Sequence, residues 1–415
     1  MNKASILNVY GGVDVVSPEG QVTKGCARVV ENVVLRDDGS FELRPGTALA
    51  VAASRPHSLW STRDQSRAFV VAGDTLYAVH GGGATRSLES IATGLWSAPV
   101  RFTEHGDGNI YVSGGTILRI DQHDAVSVPG LVALDGVAPT LSTATGGLTA
   151  GRYGVAFCGV SSSGEESPPS DVSWIDLASA SGISVSLPTR PTGVATWRVF
   201  RTPQNGDELY LADETASTSI TLAGGGTGRA MGPWPLTLAP AGSEIASYRG
   251  YLLTALGNLV IVCEPMRPGV FNPRHGFYTF DREVTILQPV ETGVFVGTDN
   301  AVYFLAGDKP SAWNLSRKAH NGAFKHSSLL VDPNMLDGKA IDTTTECAVW
   351  LSPVGYQIGL PGGGVLSPQS DKILLSDVPR APTAAFIRDG VKQMVSATEA
   401  MTLGSGGATD TPPNT

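Results

Sequence analysis

Five acidic positions have the residue type that two-carboxylate glycan hydrolysis requires: Asp37, Asp38, Glu165, Glu166 and Asp299. That chemistry sets two carboxyl groups about 5–9.5 Å apart across the scissile bond. Each of the five sits in or beside a turn containing Gly or Asn, where the favoured role is turn formation. No sialidase-type Asp-box and no WD-type dipeptide repeat occurs in the sequence. Metal chemistry has three places to look. His320 and His326 lie in a basic stretch with Lys318 and Lys325. His105-Gly106-Asp107-Gly108-Asn109 resembles part of a calcium loop but lacks the later bidentate acid, so a hairpin connection is the favoured reading. Asp121, His123 and Asp124 form the third group. Cys26, Cys158, Cys263 and Cys347 are scattered and form no C-x-x-C pair, so they read as small buried hydrophobes and not as zinc ligands. No G-x-S-x-G elbow is present. The glycine runs at Gly81-Gly82-Gly83, Gly224-Gly225-Gly226 and Gly362-Gly363-Gly364 lack the Lys-Ser/Thr and helix of a phosphate loop. The chain is therefore expected to be non-enzymatic, with no catalytic residue, cofactor or metal.

Contact chemistry is the alternative. Trp60, Trp197 and Trp350 fall inside strand patterns and are expected in the core. Trp234 and Trp313 lie in Pro-flanked or polar loops and are the predicted subunit contacts, with Lys318 and Lys325 of the basic stretch beside them. That stretch, 317–325, has the charge to meet DNA or an acidic neighbour, and a solvated loop is the plainer reading. The net charge of −9 argues against a protein that grips phosphates. The most apolar stretch, 251–263, is broken by Thr254, Gly257 and Asn258 and falls short of the ~20 residues of a membrane helix. No apolar signal region is visible at 1–18, so no membrane insertion and no secretion are expected.

The elements that would position these groups are strands. Fifty Gly and 27 Pro in 415 residues, without a three-residue period, imply many tight turns. One unit recurs: a β-branched and aromatic run, a short turn mostly of Gly, Asn or Asp, and a second such run. It appears at 68–79, 109–120, 251–262, 293–305 and 347–360. Several of these runs are apolar on both faces, which suits strands packed between neighbouring sheets. Five serial hairpins predict radial repetition. The series is interrupted at 137–227 by about seven alternating strands, read as an inserted fibronectin type III-like β-sandwich. The expected fold class is all-β: a β-propeller with that insertion. Residues 1–136 hold the N-terminal segment and first blades, 228–390 the remaining blades, and 391–415 a C-terminal tail. The best helix candidate is Val391 to Thr402, and Gly404 to Thr415 is expected to be mobile unless a neighbour holds it.

The segment Cys26 to Gly46, which reads ENVVLRDDGSFELRPG from Glu31, follows Gly11-Gly12-Val13 and Ser17-Pro18. With Pro56-His57-Ser58-Leu59-Trp60, His275 to Phe280, the hairpin at 293–305 and Trp350 through Gly363, it resembles the nozzle, or tail-tube, proteins of short-tailed bacteriophages. The resemblance covers most of the chain except the C-terminal tail. It implies a β-propeller subunit of the virion tail, assembled in the host cytoplasm as a ring of six copies below the portal and adaptor. Viral DNA would transit the lumen without specific binding. This chain is much shorter than the largest such proteins, which leaves fewer insertions for tail-fibre docking. A place at the tail tip, with the insert binding host-surface glycan or protein, is the alternative.

Overall fold

The computed structural model describes residues 12–403, except 19, 31–32, 36–39, 45, 47–48, 83–84, 132–133, 135, 163, 225–227, 232–235, 266, 337–342, 389 and 399–401. The fold is all-β, made of many small sheets. Among the described residues, five of these are four-stranded antiparallel meanders. Sheet 1 runs through Pro56–Ser61, Ala68–Ala72, Thr75–His80 and Ser87–Ala92, and sheet 2 through Arg101–Glu104, Ile110–Ser113, Ile117–Ile120 and Val126–Ser127. Sheet 3 runs through Glu244–Tyr248, Tyr251–Leu256, Leu259–Val262 and Phe277–Thr279. Sheet 4 runs through Val284–Val290, Gly293–Thr298, Val302–Ala306 and Asn314–Ala319, and sheet 5 through Leu329–Val331, Cys347–Ser352, Gly355–Gly359 and Val365–Leu366.

Each hairpin legible in the sequence forms the two middle strands of one meander. The reason lies in side-chain alternation, since successive residues of a strand point to opposite faces. Val294 and Val296 enter the core shared by sheets 3 and 4, while Phe295 between them enters the core shared by sheets 4 and 5. Tyr111 joins the core of sheets 2 and 3, and its neighbours Ile110 and Val112 join that of sheets 1 and 2. Cys347 and Val349 face a closing hairpin, Thr383–Arg388 with Val391–Ser396, while Ala348 and Trp350 face sheet 4. Burying each such Val or Phe side chain contributes about 1.5–3 kcal/mol. Gly359 permits a close approach between sheets 4 and 5: a Cβ there would lie 2.6 Å from the Phe295 ring and 2.7 Å from that of Trp350. Sheets stacked face to face around an axis make the fold β-propeller-like.

Between sheets 2 and 3 the chain builds two further sheets. One pairs Thr140–Leu148 and Ser219–Leu222 on either side of Ser181–Ser186. The other orders Ser173–Leu177, Gly151–Val160, Thr196–Arg201 and Tyr210–Thr215. A common core of Tyr153, Val155, Phe157, Ile183, Val185, Trp197 and Val199 joins them, with the Phe157 and Trp197 rings edge to face at 5.0 Å. Entry and exit lie on the same sheet: Thr140 pairs with Ser186, and Leu222 pairs with Ile183.

The N-terminal segment is organised by Asp14, whose carboxylate accepts from the backbone N–H groups of Ser17 and Thr23 and from both hydroxyls. Backbone N–H donation from Ser17 and Thr23 holds that carboxyl well below the usual carboxylate range. The expected helix at Val391 to Thr402 is not formed over its first half. Val391–Ser396 is a strand paired with Thr383–Arg388, turned at Gly390 with φ +83°. Val391, Met394 and Val395 fit a helical stripe, but strand Thr383–Arg388 supplies hydrogen bonds and Met394 packs on sheet 5. The stretch Gly404 to Thr415 lies outside the described residues.

Candidate functional site

The first strands of the five meanders surround one cavity of about 950 Å³, lined among others by Trp60, Arg101, Ser247, Gln288 and Leu329. Strand order puts them there: in every meander the strand that begins the sheet is an edge strand, and these edges turn toward the common axis. At one end of the axis, Arg101 of sheet 2 donates from Nε to Glu244 Oε2 of sheet 3 at 3.0 Å. Its Nη2 donates to the carbonyl of Ser328, next to sheet 5, at 3.0 Å. The other Glu244 oxygen lies 2.9 Å from His326 Nδ1. Glu244 is 1% exposed, so an unpaired carboxylate there would be costly, and both its oxygens are engaged. Three meanders are thus tied across the axis by one carboxylate. His326 takes φ +62°, a conformation that costs a non-glycine residue on the order of 1 kcal/mol or more.

A second knot joins the insert to the meanders. Arg119 Nη1 of sheet 2 donates to Glu165 Oε1 at 2.7 Å. Glu166 receives Arg198 and Arg229 on Oε1, and Arg267 on Oε2 at 3.2 Å. Arg198 also holds Glu214 at 2.9 Å. The turn at 161–166, where Glu165 N–H donates to Ser161 Oγ, places the two acids side by side toward the meanders. Two candidates for hydrolytic chemistry are therefore braces, each bound to arginine. Asp299 pairs with Arg282 at 3.1 Å, and Asp37 and Asp38 lie outside the described residues.

The metal candidates resolve as turns. Asp107 accepts from Asn109 N–H and from the Tyr111 hydroxyl at 2.6 Å, closing the connection into Ile110–Ser113. His105 packs edge-on to Tyr111, and burial pushes its imidazole pKa down, with Asp107 opposing. Asp121 accepts from the N–H groups of His123 and Ala125, and Asp124 pairs with Arg67. His320 is exposed while His326 is buried on Glu244. Among the described residues no group of three or more His, Cys, Asp or Glu is placed to hold a metal ion. No helix among them is long and apolar enough to cross a membrane.

The predicted contact residues separate. Trp313 is 8% exposed and sits in the core of sheets 3 and 4 between Tyr248 and Tyr278, with Nε1 donating to the Gly307 carbonyl at 2.9 Å. It is a core residue and not a surface contact. The 3-10 turn Pro310–Ala312 carries it inward, which its Pro and polar neighbours conceal. Trp234 lies outside the described residues. Lys318 is exposed on the outer strand of sheet 4, its Nζ 5.9 Å from the Phe304 ring. Lys325 is half-buried and pairs with Glu283 at 2.8 Å. Trp197 and Trp350 are fully buried, and Trp60 packs half-buried on the core of sheets 1 and 2. The axial Arg101–Glu244–His326 group is absent from the sequence-based candidates as a unit. Its members come from two sheets and from the turn that leads into a third, and no local spacing signals them.

Fold and site together define a β-propeller-like all-β chain with a two-sheet insertion, its axis crossed by a buried ionic group. No protein-family model matches the chain, and no curated protein matches it. Among solved structures it is similar to YCF48 from Cyanidioschyzon merolae, at 11% identity and TM-score 0.31, covering 86% of this chain and 97% of that one. It is also similar to a protein of unknown function from Desulfotomaculum acetoxidans, at 11% identity and TM-score 0.30, covering 83% and 90%. A third likeness is to BBS1N in its complex with ARL6DN, at 10% identity and TM-score 0.30, covering 85% and 96%.

Proposed function

We propose that this chain is a non-catalytic structural subunit of a bacteriophage tail, of the nozzle type, acting as part of the DNA-ejection conduit below the portal and adaptor. The tie across the axis bears on where such a conduit would run. A duplex cannot thread a cavity whose walls are joined by hydrogen bonds of 2.9–3.0 Å among Arg101, Glu244 and His326. A conduit made from this chain must therefore have its lumen between copies, as in a ring of six closed by heterologous contacts. The resemblance of the N-terminal segment supports the same assignment. The net charge of −9 suits a wall past which phosphates slide without counterion-release binding. In this reading residues 137–227 form a fibronectin type III-like sandwich, locked by Glu165 and Glu166 so that it moves with its propeller. Lys318, exposed on sheet 4, is a subunit contact in the ring.

Mass measurement of the purified chain and electron microscopy of labelled particles test the proposal together. Six-copy rings and label at the tail vertex are the expected results. A chain that stays monomeric at all concentrations and is missing from particles would sink it. One observation favours the tail-tip alternative: Trp174 of the insert is 43% exposed, with Arg152 stacked 4.7 Å from its ring, a platform suited to a glycan or protein surface.

A further inference from the structure

The cores run between sheets 1 and 2, 2 and 3, 3 and 4, 4 and 5, and from sheet 5 to the closing hairpin. Among the described residues, the series stops between that hairpin and sheet 1. In its place lies a cavity of about 670 Å³, within the usual range of small-molecule sites, roughly 300–1,000 Å³. Val70, Val79 and Leu88 of sheet 1 line it, with Trp60 and Phe102 at its inner wall. Val70 lies between Phe69 and Val71, which both enter the core of sheets 1 and 2. The face turned away from the following sheet packs on the preceding one in sheets 2, 4 and 5, through Ile110 and Val112, Val294 and Val296, and Ala348 and Trp350, whereas Val70 of sheet 1 meets the cavity.

The ionisable residues lining it are His57, Arg86, Arg101, His326 and Arg380, and no carboxylate is among the described lining residues. In a chain of net charge −9 this is a local reversal of sign. Glu244 stands behind the wall, on Arg101 and His326. His57 is bonded to Ser58 and Gly73, and Arg101 and Arg380 have partners as well. Two groups remain open. Arg86 is exposed and makes no hydrogen bond or ion pair with a described residue. His326 is 9% exposed, its Nδ1 is held by Glu244, and its Nε2 has no partner among the described residues.

We propose that this cavity binds a small amphipathic carboxylic acid, its apolar body against Val70, Val79 and Leu88 and its carboxyl group on His326 Nε2. The acid and the imidazole share one proton, and either placement of it gives a hydrogen bond at Nε2. The imidazole that lines the cavity then gains a second partner beside Glu244. Arg86, at the exposed rim, adds attraction for the anion. The site does not depend on the tail assignment.

Calorimetric titration of the full chain with decanoate, with decylamine as the matched cation, tests the proposal. Saturable binding of one decanoate per chain is expected, with decylamine at least about tenfold weaker. Arg86→Glu, on an exposed side chain, should weaken decanoate several-fold. Val79→Trp should weaken binding at least about tenfold by crowding the apolar wall on which the chain of the acid lies. In 15N-histidine spectra the Nε2 resonance of His326 should shift on titration. Equal affinity for acid and amine, no saturable binding up to millimolar decanoate, or binding unchanged in Val79→Trp would each overturn the assignment.

Discussion

Glu244 and His326, 82 residues apart in the chain, meet at 2.9 Å and join the third meander to the segment that opens the fifth. Because Arg101 of the second meander shares that carboxylate, one buried acid holds three sheets. Replacing it with Ala should cost about 3–5 kcal/mol, the loss typical when one partner of a buried ionic group is removed. Urea denaturation of Glu244→Ala beside Arg101→Ala measures it. A loss under 1 kcal/mol would mean the group contributes little to stability.

A pH-dependent loss of stability should trace to His105. Burial pushes its pKa below the ordinary 6.5, with the nearby Asp107 opposing. The unfolded chain therefore binds more protons here than the folded one as pH falls below about 6.5. The stability contribution is whole above that value and is lost as pH falls toward the folded pKa. Thermal melts between pH 5 and 8 should show a shallower acid slope for His105→Gln than for the wild type.

Phe295 packs against Phe304 at 4.7 Å and Trp350 at 5.3 Å, in the core of sheets 4 and 5. Phe295→Ala should cost about 3–5 kcal/mol. Gly359→Val should destabilise by about 1–3 kcal/mol, since its side chain would enter the space that Phe295 and Trp350 occupy. Chemical denaturation midpoints compare the two.

Thiol reactivity should sort by burial. Desolvation pushes the thiol of Cys263 up to about 12 and that of Cys158 to about 11, the latter opposed by Arg198, Arg229 and Arg267. Since the thiolate is the reactive form, both should resist a disulfide reagent in the native protein. Cys26, half-buried, should react first. Peptide mapping after a short native exposure identifies the modified residue.

The Glu166–Arg267 pair should couple the insert to the meanders weakly and in a salt-dependent way. Arg267 is partly exposed, so a double-mutant cycle with Glu166→Gln and Arg267→Gln should give roughly 0.5–1 kcal/mol at low salt. High salt should reduce that coupling markedly.

The hairpins at 68–79, 109–120, 251–262, 293–305 and 347–360 were legible because middle strands bury both faces, and that burial writes itself into uninterrupted β-branched and aromatic runs. The first and fourth strands of each meander are shorter or more polar. Strand Asn314–Ala319, for example, carries Arg317 and Lys318 on an outer edge and read as a basic loop. Strand Thr383–Arg388 carries no alternation signal of its own, and without a partner in view Val391–Ser396 reads as a helix. Trp313 reads as a surface residue because local polarity says nothing of a ring swung inward by a single 3-10 turn. The axial group is invisible for a different reason: contacts across 143 and 82 residues exist only once the sheets stand around a common axis.

The two ends of the insert leave from neighbouring points of one small sheet, at Thr140 beside Ser186 and at Leu222 beside Ile183. A bridge of about four or five residues could span that distance. Leaving and returning so close together, the seven strands lengthen the path between sheets 2 and 3 without separating the strands those two sheets need to stack.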